Sequence, residues 1–239
     1  MAPRVDWFFG RGLSLGCGLR WSVPEDWAML DRPVLVNRIV EVIRHEMEQP
    51  HIDTTDIKEF LSFLARRTTV PWQHQFHTTN WDYLLQREIS ALKLCVQPRW
   101  CANTHVYHLN GTVENLDDNQ HRSAIVLETD PASARTSTTE SNTAFSKIIW
   151  NKTFVIVGMS FECEVDKFIL HSLNKVQDDL PIGESHWILV NPDANALEAS
   201  SQRIQGALPH AKVVKVASLF GDWLRSEMPE LQATRAVDV

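Results

Sequence analysis

The chain has 239 residues, 44% hydrophobic and 22% charged, with a formal net charge of −7. That length suits one large α/β domain or two small ones, and the composition is ordinary for a globular protein. No apolar run approaches the roughly 18–20 residues that cross a bilayer, and a broad nucleic-acid footprint would need a basic face that this charge does not supply. The start, Met1 to Asp6, lacks a charged segment followed by a signal-peptide core, so a cytoplasmic location is expected. The four cysteines, Cys17, Cys95, Cys101 and Cys163, form no C-x2-C pair. Buried free thiols are expected, with no zinc module and no metal site.

In chain order, the apolar run Val5 to Phe9 ends in Gly10, Gly12, Gly16 and Gly18. It reads as a buried strand running into a glycine-rich turn, where backbone N–H groups can approach a phosphate. The spacing resembles G-x-G-x-x-G but departs from it in the later glycines. Leu19 to Arg32, punctuated by Trp21, Pro24 and Trp27, reads as a loop over a ligand or packed on the core. Pro33 suits a first helical turn, and Val36, Ile39, Val40, Ile43 and Met47 stripe a helix that ends at Pro50. A second helix is expected with Asp56 as N-cap, Glu59 three residues on, and Ile57, Phe60, Leu61 and Leu64 buried. Two successive helices, about residues 33–68, read as a helical insertion in a single domain spanning 1–239.

Strands are then expected at His74–Thr78, Thr104–Leu109, Ser123–Leu127, Thr153–Val157, His186–Val190 and Lys212–Val216. Helical stripes fall between several of them: Leu84, Leu85, Ile89 and Leu92; Val165, Phe168, Ile169, Leu173 and Val176; Leu197 to Ile204; and Leu219 to Glu227. Ala144 to Trp150 suits a short helix, and the Ser/Thr-rich stretch Glu128–Asn142 a mobile loop. Strands alternating with helices predict a doubly wound parallel sheet of Rossmann-like type.

Ligands bind such sheets at the carboxyl ends of the strands. Those ends carry the glycine loop, Asn80 with Asp82, Asn110 with Gly111, Gly158 with Ser160, and Asn191 with Asp193. Each alone is ordinary cap or turn chemistry. Together on one sheet edge they point to a nucleotide pocket. Glu162, Glu164 and Asp166 are better explained by a helix's first turn than by a metal. Of the nine tryptophans, Trp21, Trp27, Trp81 and Trp100 are the candidates for lining a pocket or interface.

In this order the motifs resemble the sirtuin-like NAD-binding domains, particularly the prokaryotic branch without a zinc module. Gly10-Arg11-Gly12-Leu13-Ser14 looks like that family's G-A-G-x-S loop, with Arg11 where a small residue is usual. Thr78 to Asp82 looks like its T-x-N-x-D motif, and Val106 to Gly111 like its strand ending in His-Gly. Gly158-Met159-Ser160 looks like its G-x-S contact to phosphate and ribose, and Val190-Asn191 like its contact near the adenosine. The resemblance implies a sirtuin-type fold. It also implies NAD or ADP-ribose as ligand, held by Gly10, Arg11, Gly12, Ser14, Asn80, Asp82, Gly158, Ser160 and Asn191.

The implied chemistry is cleavage of the nicotinamide–ribose bond through an oxocarbenium-like transition state. Asn80 would orient ribose and water, and Asp82 would fix the loop. The family's catalytic His would precede Gly111, yet that residue is Asn110, an amide that takes no proton near neutral pH. His108 shares its strand face but lies about 6–7 Å deeper, two strand rises away. Two readings follow. One is an NAD glycohydrolase, with Asn80, Asp82, Asn110 and His108 as catalytic candidates, acting as a defence effector or toxin within a homo-oligomer or partner assembly. The other is a catalytically impaired nucleotide sensor or scaffold. Protein deacylation is disfavoured, because its peptide channel is usually formed with the zinc module.

Overall fold

The computed structural model describes residues 5–67, 74–95, 106–114, 125–127, 130, 153–179 and 185–233. The first half runs β1 (Val5–Phe9), α1 (Arg11–Gly16), a 3-10 turn (Glu25–Met29), α2 (Arg32–Met47), α3 (Thr55–Arg67), β2 (His74–Thr78) and α4 (Leu84–Cys95). The second runs β3 (Val106–His108), β4 (Thr153–Val157), α5 (Glu164–Asp179), β5 (Ser185–Val190), α6 (Ala194–Ala207), β6 (Ala211–Val216) and α7 (Phe220–Ala233). The six strands form one sheet in the order β3-β2-β1-β4-β5-β6. Every pairing is parallel; Phe9, for example, lies beside Thr78 on one flank and Val157 on the other. The strand order reverses between β1 and β4, the position where doubly wound folds open a ligand crevice. The expected Rossmann-like sheet is therefore the observed one.

Alternation along the strands sends side chains to two cores. Trp7, Phe9, Phe76, Val155 and Val157 face one core with Ile39, Phe60, Ile89 and Phe220 from α2, α3, α4 and α7. Phe8, Phe154, Ile156, Trp187 and Leu189 face the other with Ile169 and Leu173 of α5 and Leu197 and Ile204 of α6. The expected stripes of α2 and α3 are buried residue for residue, from Val36 to Met47 and from Ile57 to Leu64. Each such side chain contributes about 1.5–3 kcal/mol on burial, so packing rather than capping holds these helices on the sheet.

Several boundaries differ from the expected ones. α3 starts at Thr55, and Asp53 rather than Asp56 caps it, its Oδ1 accepting from the Thr55 N–H at 2.8 Å. The neighbouring Thr54 hydroxyl donates to Glu88 of α4 at 2.9 Å. Residues 125–127 are not a strand. They are held instead by the Val126 N–H on the Asn110 carbonyl and by Arg32 on the Ile125 carbonyl. The expected loop Glu128–Asn142 contributes only Asp130 to the described residues, and that residue is buried. The expected helix Ala144–Trp150 lies outside them, as do Trp100, Cys101 and His105.

The sheet also buries polar groups that an apolar reading of β1 passes over. Asp6 and His77 are fully buried and paired at 2.8 Å, with His77 stacked on Phe8 at 4.6 Å. His74 accepts the indole N–H of Trp7 at 3.1 Å, and burial pushes its pKa down to about 4 from the ordinary 6.5. Above pH 6.5 both the folded and the unfolded chain carry this imidazole neutral. Between about 6.5 and 4 the unfolded chain binds a proton that the folded one refuses, so stability falls as the pH falls through that window. The loss attributable to His74 is at most about 3 kcal/mol. Urea denaturation at a series of pH values should show this slope in the wild type and a flatter one in His74→Phe.

Candidate functional site

The carboxyl ends of β1, β2, β3, β4 and β5 gather the glycine loop, Asn80, Asn110, Gly158 and Asn191 on one edge of the sheet. At the switch point two backbones meet. Gly10 N–H donates to the Val157 carbonyl and Gly12 N–H to the Gly158 carbonyl, both at 2.9 Å. A Cβ on Gly12 would lie 2.6 Å from Gly158 Cα, and one on Gly10 would lie 2.6 Å from Gly158 O. Gly158 itself has φ +62°, the left-handed region that favours glycine. These glycines are thus required by chain packing, independently of any ligand. Gly16 meets nothing within 4 Å.

A hydrogen-bond chain ties this loop to the segment after β2. The Asn80 amide donates to the Gly10 carbonyl at 3.0 Å and to Ser14 Oγ at 2.7 Å. Ser14 Oγ donates to Asp82 Oδ2 at 2.7 Å, and Asp82 Oδ1 accepts the Leu84 N–H at 3.2 Å. Both N–H groups of Asn80 are spent, so the group it can offer a ligand is the Oδ1 acceptor. Burial raises the Asp82 pKa above the ordinary carboxylate value, against the pull of the Ser14 and Leu84 hydrogen bonds. Asp82 fixes Ser14 and the start of α4.

Asn110 is buried, and its amide donates to the Thr79 carbonyl at 2.8 Å. Its Oδ1 has no partner among the described residues. Leaving a buried acceptor unpaired costs about 1–3 kcal/mol, which a ligand donor would recover. His108 is also buried, with Nδ1 3.4 Å from the Asn80 carbonyl oxygen. It lines neither of the two cavities that flank the glycine loop.

Two cavities flank the glycine loop. The first, about 440 Å³, opens over the ends of β1, β2 and β3 and is lined by Ser14, Trp21, Asn80, Trp81, Asp82 and Asn110, among others. The second, about 510 Å³, opens over β4 and β5 and includes Gly12, Gly16, Cys17, Asp56, Asn191 and Asp193. Arg11, Gly158 and Ser160 line both. Such volumes suit small-molecule ligands. Carboxylates face each cavity, namely Asp82, Glu162 and Asp166 in the first and Asp53, Asp56 and Asp193 in the second. Among the described lining residues Arg11 is the sole cation. Asn191 is engaged in its own turn, its Oδ1 accepting the Asp193 N–H at 3.0 Å. Burial beside Asp82, Asp56 and Asp53 pushes the Cys17 thiol up to about 12, so it is not a nucleophile. Among the described residues no group of three or more His, Cys, Asp or Glu converges as metal ligands would.

Sequence reasoning missed two supports. Phe161, fully buried, has φ 55°, and the preceding carbonyl of Ser160 accepts from Arg203 at 2.8 Å and Ser200 at 3.1 Å. A strained residue next to the cavity is therefore anchored by α6. Arg32, at the start of α2, grips Asp130 through two hydrogen bonds of 2.6 and 2.8 Å. Contacts 40 and 98 residues apart leave no local signal in sequence.

The model of the SIR2-like domain family matches residues 74–208, more than half of the chain. The chain belongs to the SIR2-like domain family. Solved Sir2 structures share its fold. A Sir2 enzyme studied for mechanism and regulation aligns with TM-score 0.57 and 17% identity over 97% of this chain and 93% of that one. Sir2 with a p53 peptide and NAD+ gives 0.55 and 14% over 96% and 94%. Sir2 bound to an acetylated peptide gives 0.55 and 15% over 95% and 92%. No curated protein sequence matches significantly. At these identities the likeness establishes the SIR2 fold, with β2 to α6 inside the family match.

The glycine packing sets a test. Gly12→Ala should cost about 2–3 kcal/mol, because backbone atoms of Gly158 cannot yield to a new Cβ. Gly16→Ala should be neutral or stabilise by up to about 1 kcal/mol, since it adds a helix former in open space. Urea midpoints of the two variants against wild type measure both.

Proposed function

We propose that the SIR2-like cleft binds NAD across the β1/β4 switch point and hydrolyses it to nicotinamide and ADP-ribose. The observation that carries this reading is the Asn80–Ser14–Asp82 chain, which rigidly joins the glycine loop to the segment after β2 and leaves Asn80 Oδ1 as its acceptor. On this reading the second cavity takes the adenosine near Asn191, the diphosphate lies by Gly12, Ser160 and Arg11, and the first cavity takes the nicotinamide riboside. The Sir2 structure that holds NAD+ and a peptide on the same fold supports the ligand class.

In the reaction the bond from ribose C1′ to the nicotinamide nitrogen breaks, and its electron pair neutralises the pyridinium. A water oxygen then bonds to C1′, and its proton passes to solvent. An oxocarbenium-like carbon is electrophilic enough that water needs placement more than deprotonation. Asn80 Oδ1 is suited to hold that water or a ribose hydroxyl, and the unpaired Asn110 Oδ1 a second hydroxyl. Deacylation, which would require a ribose hydroxyl made nucleophilic by a base, fits Asn110 poorly. Action in the cytoplasm belongs to the same reading. NAD depletion is an activity suited to a defence effector or toxin, and cellular NAD measured on expression tests that role.

Asn110 also favours a second reading, a nucleotide sensor that does not turn over. Nicotinamide release from NAD separates the two. The enzyme reading expects turnover in wild type and a loss of at least about 100-fold in Asn80→Ala. It also expects a rate that is flat between about pH 6 and 8, since no histidine lines either cavity among the described residues. A rate that rises through about pH 6.5 and vanishes in His108→Ala would assign the base to His108 instead. No release from wild type or from Asn110→His, with ADP-ribose still binding by calorimetry, would establish the sensor. Absence of any binding of NAD or ADP-ribose would remove both readings.

A further inference from the structure

The turn after β4 holds a conformation that its sequence does not favour. Gly158 has φ +62° and Phe161 has φ 55°, and only the first of them is a glycine. A bulky residue at positive φ crowds its Cβ against the backbone, so the conformation persists only where neighbours impose it. The neighbour here is α6. Its Ser200 and Arg203 share one helix face beside Leu197 and Ile204, which seat the helix in the core. Ser200 Oγ donates to the Ser160 carbonyl at 3.1 Å and Arg203 Nη1 at 2.8 Å, so both lone pairs of that oxygen are taken. Arg203 Nη2 adds a longer contact of 3.4 Å to Glu162, the residue after Phe161.

This clamp fixes more than a carbonyl. The peptide bond between Ser160 and Phe161 is trans, so its N–H points opposite to its C=O. With the oxygen drawn onto α6, the Phe161 N–H is turned away from that helix. Ser200 and Arg203 line neither cavity, whereas Ser160 lines both. Among the described residues the N–H groups of Met159, Ser160 and Phe161 donate to no protein acceptor. Successive unspent N–H groups flanked by positive-φ residues make a concavity that receives an anion.

We propose that Arg203 and Ser200 are positioning residues for the diphosphate: by holding the Ser160 carbonyl on α6, they keep the Phe161 N–H presented to a phosphate where the two cavities join. The proposal rests on the NAD reading and adds to it a brace that stands outside the cleft. Neither side chain touches the ligand. Without the clamp nothing opposes the return of Phe161 to negative φ, and the Ser160–Phe161 peptide rotates as it does so. The N–H then leaves the phosphate, while the contacts of Asn80 and Asn110 stay as they are.

The test is calorimetry with ADP-ribose, which carries the diphosphate and has no nicotinamide to lose, and which reads Kd and stoichiometry separately. Arg203→Met should weaken binding about tenfold at full stoichiometry, the loss of one hydrogen bond to a charged group. Ser200→Ala leaves Arg203 in place and should weaken it about threefold. Arg203→Lys keeps a donor and should bind within about threefold of wild type. Lys215→Met removes the 2.6 Å contact to Glu198 of the same helix, leaves the Ser160 carbonyl held, and should bind as wild type does. A merely structural role would lower the fraction of folded molecules, hence the stoichiometry, and leave Kd alone. A wild-type Kd in Arg203→Met at any stoichiometry, or an equal weakening by Lys215→Met, overturns the inference and spares the NAD reading. If Arg203→Met does not fold, a wild-type Kd in Ser200→Ala overturns it in the same way. If wild type does not bind ADP-ribose, the NAD reading fails and the inference fails with it.

Discussion

The cleft depends on one close approach, that of the Gly10–Gly12 backbone to the backbone at Gly158. The parallel pairing of β1 with β4 brings the two strand ends side by side, and the chains must then part to begin α1 and the β4 loop. No Cβ fits between them. The two N–H donations across this contact make the loops a single wall, with a cavity on each side and Arg11 on its crest. Glycine-rich loops are usually credited with admitting a phosphate. Here the partner that demands Gly10 and Gly12 is another stretch of backbone, so glycine alone says little about a ligand. The polar groups arranged around the wall carry that information.

Those groups are held in two tiers. Asn80, Ser14 and Asp82 form the inner one, and every hydrogen bond in it joins residues from different sides of the β1/β2 pairing or fixes the start of α4. The outer tier runs through Arg32. Buried Asp130 accepts from Arg32 Nε and Nη2 and from the Leu127 N–H, and Val126 N–H donates to the Asn110 carbonyl. Asp130 is buried while the Arg32 side chain is 41% exposed, so removing Arg32 would leave a buried carboxylate short of two donors, at a cost that solvent around the guanidinium reduces. Arg32 is therefore a positioning residue for Asn110, reached through three hydrogen bonds and far from it in sequence.

Fold was legible wherever burial has a period. The stripes of α2 and α3 and the apolar runs of β1 and β4 follow directly from which side chains must leave water, and the strand-end polar residues follow from the edge at which parallel strands finish. What escaped sequence reasoning depends on distant partners. Asp53 rather than Asp56 accepts from the first turn because α3 begins at Thr55, one residue before Asp56, and the segment ahead of it is tied to α4 through Thr54 and Glu88. Asp6 reads as a polar interruption of a strand until His77 is placed beside it. Phe161 in a left-handed conformation has no local cause, and only the grip of Arg203 and Ser200 on the preceding carbonyl accounts for it. In the site, Asn80 and Asp82 stood out as a motif, and of the tryptophans singled out for a pocket Trp21 and Trp81 line the first cavity, whereas their mutual stacking, 60 residues apart, had no local signal.

Asn110 and His108 show how one strand position constrains chemistry. The shared strand face expected for them is not formed: β3 ends at His108, a turn closed by the Gly111 N–H on the His108 carbonyl at 3.1 Å carries Asn110 to the first cavity, and His108 Nδ1 lies 3.4 Å from the Asn80 carbonyl oxygen. Moving the imidazole into reach would require shifting β3 by two residues against β2, which would unseat Val106 from Phe76 and Tyr107 from His77. The register is fixed by buried side chains on both faces, so the site keeps its amide. An amide at this place accepts one hydrogen bond and moves no proton. That suits a reaction whose barrier is lowered by holding a developing cation and its water in place, and it does not suit one that must first activate a hydroxyl. The carboxylates of Asp82, Glu162 and Asp166 that line the first cavity favour positive charge within it. On the NAD reading, the amide at Asn110 and the carboxylates around it therefore favour departure of nicotinamide without transfer of an acyl group.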